Sequence, residues 1–98
     1  MFKLIRVTGQ SLEPLYCEGD YVLVSRLYAL FGAIRPGDVV VLRHPAYGLM
    51  IKLVEQVTVE RDEIFVIGLN DWSVDSREFG GIARKDVLGK VIWGITDL

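Results

Sequence analysis

The sequence predicts a mainly β fold: antiparallel strands in a small barrel-like sheet, with little helix. Two observations carry that expectation. Short runs of β-branched and aromatic residues alternate with a period of two, and turn-forming residues bound each run. The 98 residues, 51% of them hydrophobic, suffice for one core, so the chain reads as a single domain over 1–98.

The elements follow in chain order. Phe2 to Val7 is the first strand, and Ser11 with Pro14 behind it suits a short helical turn. Gly19-Asp20 leads into a strand over Tyr21 to Val24, and the same pair recurs as Gly37-Asp38 ahead of Val39 to Leu42. Glycine supplies a positive φ and aspartate bonds the turn backbone, so each pair reads as a turn that feeds a strand. Between the two pairs, Leu27 to Ile34 is unusually apolar for a connection. It reads either as core packing or as an exposed lip making membrane-surface contact or lining a substrate groove. Leu49 to Val59, Ile64 to Ile67 and Val87 to Ile95 complete the strands, with a helical turn around Arg84 to Val87.

Composition narrows the function. Eleven basic and thirteen acidic residues leave a formal net charge of −2, with no electrostatic footprint for nucleic acid. The single cysteine, Cys17, excludes an internal disulfide and a cysteine-rich zinc site, and is expected as a small buried hydrophobe. Trp72 and Trp93 are expected in packing roles, and no set of side chains has the spacing of a metal site. No apolar run reaches the ~20 residues of a membrane-spanning helix. Lys3 and Arg6 break up any secretory leader at the start.

Three segments carry candidate chemistry. In Gly9-Gln-Ser-Leu-Glu-Pro14, Ser11 is either a helix N-cap or a nucleophile on a tight turn formed by Gly9 and Gln10. The only histidine, His44, ends a strand before Pro45, and nothing around it favours a Ser-His-Asp triad. Lys52 is the better base. Strand alternation places it on one face with Met50 and Val54, away from Glu55. An ammonium there is disfavoured by desolvation, and a neutral lysine can take a proton. The alternative is a lysine that lays its stem over the core and keeps its head in water. The third segment, Gly68 to Gly80, crowds Asn70, Ser73, Asp75 and Arg77 into one loop. An Asp75–Arg77 pair there would be structural, and Ser73 could orient a neutral lysine.

These segments, in this order, resemble the type I signal peptidase family, which uses a Ser/Lys dyad. Gly9-Gln-Ser-Leu-Glu-Pro14 with Gly19-Asp20 resembles its serine box, and Met50-Ile-Lys-Leu-Val54 its lysine box. Gly68-Leu-Asn70, Ser73-Val-Asp-Ser-Arg77 and Phe79-Gly80 resemble its last box. Leu12 stands where the pattern has methionine, Leu69 stands where it has aspartate, and the Gly68 to Ser73 spacer is shorter. The resemblance implies a signal-peptidase or LexA-like β-fold and a serine endopeptidase that removes a leader or precursor segment, with no cofactor. It implies Ser11 as nucleophile, Lys52 as general base, Ser73 orienting the lysine, and Asp75 and Arg77 holding the loop. In size the chain is similar to the compact proteases that mature nickel-type superoxide dismutase. Self-cleaving repressor domains share the fold but lack the Ser-x-Asp-Ser-Arg box. The expected partner is an extended peptide pairing by strand addition near Ser11. An unanchored chain would be cytoplasmic, and a trimmed catalytic domain would sit at the extracytoplasmic membrane face. The alternative function is a non-catalytic β-domain that binds peptides or dimerises.

Overall fold

The structure, a computed structural model, describes residues 2–9, 12–13, 15–26, 34–69 and 73–95. Ser11 and Gln10 of the serine box, Asn70, Trp72 and most of the apolar connection (27–33) lie outside the described residues. The strands are β1 (Phe2–Arg6), β2 (Tyr21–Ser25), β3 (Val39–His44), β4 (Gly48–Thr58), β5 (Glu63–Ile67), β6 (Ile82–Ala83) and β7 (Val87–Ile95). They form one seven-stranded sheet in the order β1-β2-β7-β3-β4-β5-β6, every neighbour antiparallel. A four-residue helix, α1 (Ser76–Phe79), and a 3₁₀ turn over Arg84–Asp86 are the helical elements described. The 3₁₀ turn lies at the expected helical position near Arg84. Helix α1 falls inside the polar loop, where no apolar periodicity marks it.

The two Gly-Asp echoes fold alike. Gly19 and Gly37 take φ of 95° and 96°, a conformation that a side chain would strain. In each turn the aspartate closes the backbone three residues upstream. Asp20 Oδ2 accepts the Cys17 N–H at 2.8 Å, and Asp38 Oδ2 accepts the Arg35 N–H at 2.8 Å.

Strand β7 makes the sheet bend. Its last part pairs with β2 and its first part with β3, and the register slips on both sides, between Leu23 and Val24 and between Val41 and Leu42. A further slip in the β4–β5 ladder falls between Val54 and Gln56. Bulges of this kind sharpen twist and curvature. The sheet therefore curls until β1 reaches strands that are not its ladder neighbours. Val7 and the part-buried Ile5 pack with Val41 of β3 and Ile51 of β4 in one apolar cluster, together with Val22 and Val24. The second cluster lies under the other half: Ile34, Val40, Leu42, Val54, Ile64, Val66, Ile82 and Val87. Ile34, the last residue of the apolar connection, is thus core.

Two sequence expectations are corrected. Trp93 is 66% exposed, since it lies across from Leu23, itself across from the exposed Leu4, on the outward face of the β1-β2-β7 half. Cys17 is also exposed, in the turn before β2 rather than in the core. Desolvation and the carboxylates of Glu13 and Asp20 push its thiol up, which makes it a poor nucleophile. Among the described residues no helix is long and apolar enough to cross a membrane.

Close approach of β2 and β7 depends on a missing side chain. A Cβ on the buried Gly89 would sit 2.9 Å from the Ser25 carbonyl oxygen and against the Val24 methyl. The Gly89→Ala variant is therefore expected to lose about 2 kcal/mol of stability through overpacking, read as a lower urea midpoint at unchanged slope.

Candidate active site

The turn that carries the serine box is tied down on both flanks. Val7 donates to the Asp20 carbonyl at 2.7 Å and Gly19 donates to the Val7 carbonyl at 2.9 Å, so the β1–β2 ladder runs on past β1. Gly9 takes φ of 86°, and its N–H meets Glu18 Oε1 at 3.2 Å. On the far flank Leu12 is almost fully buried and its carbonyl accepts the Tyr16 N–H at 3.1 Å. Leucine in place of methionine keeps this anchor apolar and of similar volume. Ser11, between these anchors, lies outside the described residues.

Lys52 sits in β4 where strand parity places it. Only 4% of it is exposed. Its cross-strand partner is Val40, and Val54 on the same face belongs to the core cluster against which Met50 packs. Among the described residues no ion pair involves Lys52. Burial holds its amine below the ordinary lysine range; Asp75 pulls it up and Arg77 pushes it further down.

Asp75 offsets only part of the burial, and its carboxylate is already held by other donors. Its carboxylate is completely buried and accepts the Gly68 N–H at 2.8 Å and the Arg77 N–H at 3.0 Å. The Arg77 guanidinium forks onto it, Nε at 3.0 and 3.1 Å and Nη2 at 2.6 Å. Burial alone would raise this carboxyl; the Arg77 hydrogen bond and the backbone donors of Gly68 and Arg77 outweigh it and hold it below the usual range. Asp75 is also the N-cap of α1. The next residue, Ser76, accepts the Val66 N–H at 2.9 Å. Since β6 pairs with β5 only at Glu63 and Ile64, Ser76 and Asp75 satisfy the rest of that edge. Ser73 stands half-buried two residues before Asp75.

The structure thus brings Lys52, Asp75 and Arg77 within electrostatic reach of one another. It places His44 elsewhere, in a ring cluster with Tyr47 and Phe79, its Nδ1 accepting the Ala46 N–H at 3.0 Å. Ser76 was not foreseen as a site-building residue; its position beside an N-capping aspartate was the available signal. Among the described residues no group of side chains could hold a metal ion.

A groove runs along β4 as far as Ile51, the residue before Lys52. It is lined by Ile5 to Thr8 of β1 and its extension, by Leu49 to Ile51 of β4, and by Val41, and holds about 180 Å³. Along this stretch β4 pairs with β3 on one side only, because β5 joins its other edge from Leu53 onward. Among the described residues, positions 48–51 have no ladder partner on that side, and β1 is an edge strand.

Two stability experiments test this electrostatic account. The cost of burying an ammonium is felt in full below the folded pKa of Lys52 and vanishes above the ordinary lysine range. Stability relative to a Lys52→Met variant should therefore rise with pH from neutral toward about 10. A difference that stays flat in urea unfolding across that range contradicts a desolvated amine. Asp75→Ala leaves the Gly68 and Arg77 donors without their acceptor and uncaps α1, and should cost about 2–4 kcal/mol at neutral pH. The loss should shrink in acid, as pH falls through the depressed pKa of Asp75 and wild type loses its carboxylate too.

Comparison with known proteins identifies the family. The family model described as Peptidase S24-like matches residues 2–92. Signal peptidase I V of Bacillus subtilis (strain 168) is 28% identical over 99 aligned positions, which cover 86% of this chain. The chain spans 59% of the length of that relative. With nearly all of its strands inside the matched region, the chain belongs to the peptidase S24-like family.

Proposed function

We propose that the protein is a serine endopeptidase in which Ser11 and Lys52 form a catalytic dyad that cuts a leader or precursor segment from a protein substrate. The observation that carries this reading is the buried amine of Lys52, set in apolar surroundings beside a carboxylate already occupied by Arg77. An amine of this kind is neutral in a larger fraction of molecules near neutral pH than an exposed lysine, as a general base must be.

The chemistry follows as acyl transfer. The Ser11 hydroxyl gives its proton to Lys52 Nζ as Oγ attacks the scissile carbonyl carbon. The tetrahedral adduct collapses with cleavage of the C–N bond, and the lysine ammonium returns that proton to the departing amine. Lys52 then takes a proton from water as the water attacks the ester, and gives that proton to Ser11 Oγ as the ester C–O bond breaks, restoring both groups. Ser73 orients the lysine amine, and Asp75 with Arg77 keeps the loop in place. The turn of Gly9 and Gln10 presents the Ser11 backbone N–H toward the developing oxyanion.

The substrate is an extended peptide laid into the groove between β1 and β4. The margin of β4 before Leu53, which has no ladder partner among the described residues, and the edge strand β1 give it two strands to pair with. The lining side chains leave room for small residues beside the scissile bond.

Ser11→Ala and Lys52→Ala should each abolish cleavage of a leader-bearing precursor while far-UV circular dichroism stays unchanged, read by mass spectrometry of the products. Because Lys52 titrates below the ordinary lysine range, kcat/KM should rise with pH through a group below that range. Turnover that survives either substitution overturns the dyad in favour of a non-catalytic peptide-binding domain.

A further inference from the structure

The groove does not end at the residues that flank Lys52. It continues away from the dyad into a second hollow of about 210 Å³ that shares Ile5, Val41 and Leu49 with the first. What changes along the way is charge. Lys3 of β1, Arg26 just past β2 and Arg43 of β3 converge on this end, each exposed, over an apolar floor. Among the described residues no carboxylate lines the hollow, and none of the three cations is in an ion pair. The chain as a whole is acidic, with a net charge of −2, so the convergence is local and runs against the overall balance. Three like charges around one apolar hollow repel one another, and an anion among them would relieve that repulsion.

The shape of the hollow specifies the anion. Its floor favours an apolar stem, its rim favours a negative head, and its continuity with the first groove favours a group carried on the same extended chain. Leu49 precedes Lys52 by three residues on β4, a distance of about 10 Å at ~3.3 Å per residue. An extended peptide whose scissile bond lies at Lys52 would bring a side chain three to four residues away onto this rim.

We infer that the basic end of the groove, formed by Lys3, Arg26 and Arg43, is a specificity subsite that selects a glutamate or aspartate three to four residues from the scissile bond. The inference rests on the peptidase reading above, and names the substrate class for that same site: a precursor whose processing segment carries an acidic residue near the cut.

The test is a peptide series built on one sequence, with Glu, Ala or Lys placed in turn at each position on both sides of the bond. Wild type should cleave one Glu peptide about 3–10-fold faster in kcat/KM than its Ala counterpart, the size expected of partly exposed charge pairs acting together. The gain should fade between about 50 mM and about 500 mM salt, as screening shortens the reach of exposed charges. Arg43→Glu combined with Lys3→Glu should invert the preference at that same position, making Lys the favoured residue. Binding of the same peptides to the Lys52→Met variant, by fluorescence anisotropy, separates the two readings. Glu-selective binding without any cleavage by wild type sustains the subsite and overturns the peptidase. Cleavage with no preference at any position overturns the subsite alone, and peptides neither bound nor cut overturn both. Vesicles of phosphatidylcholine and phosphatidylglycerol form a further arm. Binding to them that depends on Arg26 and Arg43, with no Glu preference among peptides, overturns the subsite in favour of a lipid surface.

Discussion

A lysine buried in an apolar sheet face is tolerated when it can give up its proton, and that constraint organises the half of the sheet around Lys52. Strand parity puts it there, because Met50 and Val54 must face the core and Lys52 lies between them. The contrast with Lys90 is instructive. Both lysines pair with Val40, from opposite sides, and so lie in one row across three strands. Lys90 meets Asp38 Oδ2 at 3.1 Å and has a dedicated counter-ion. Lys52 has only Asp75 near it, and Arg77 already claims that carboxylate. Two identical side chains in one row thus sit in different settings: Lys52 is buried beside a carboxylate that Arg77 holds, and Lys90 is part-exposed and ion-paired.

The fold and the site meet at the bend in the sheet. Because β7 serves β3 with its first part and β2 with its last, the sheet has two halves and two apolar clusters. The curl sets β1, which leads to the serine turn, beside β4, which carries Lys52. The groove is therefore a product of topology: two strands far apart in the ladder order become its walls. The same curl brings Lys3, Arg26 and Arg43, from three strands or their ends, to one mouth.

Much of this was legible in the sequence, for reasons that are local. Period-two alternation located the strands, and the Gly-Asp pairs marked two turns with the same hydrogen bond. Parity alone put Lys52 on the core face. What the sequence did not disclose is long-range or depends on neighbours. Nothing in Val87 to Ile95 says that it inserts between β2 and β3, since that pairing is set by packing with strands more than forty residues away. Trp93 and Cys17 look like core residues by composition but sit on an outer face and in a turn. Helix α1 is four residues long and held by its cap rather than by an apolar stripe, so no periodicity could reveal it. The basic rim is spread over Lys3, Arg26 and Arg43, and only folding makes it a cluster.

The edge of β5 has a consequence for how the protein breathes. Val66 and Gly68 give their N–H groups to Ser76 and Asp75 rather than to a strand, so this margin of the sheet is sealed by a four-residue helix and its cap. Such a seal opens as a unit, at a free energy below that of global unfolding. Opening there would bare the strand margin and release the Asp75 carboxylate from the Gly68 amide. The amide protons of Val66 and Gly68 therefore report on this margin: their exchange is slow while the cap holds and quickens when it lets go.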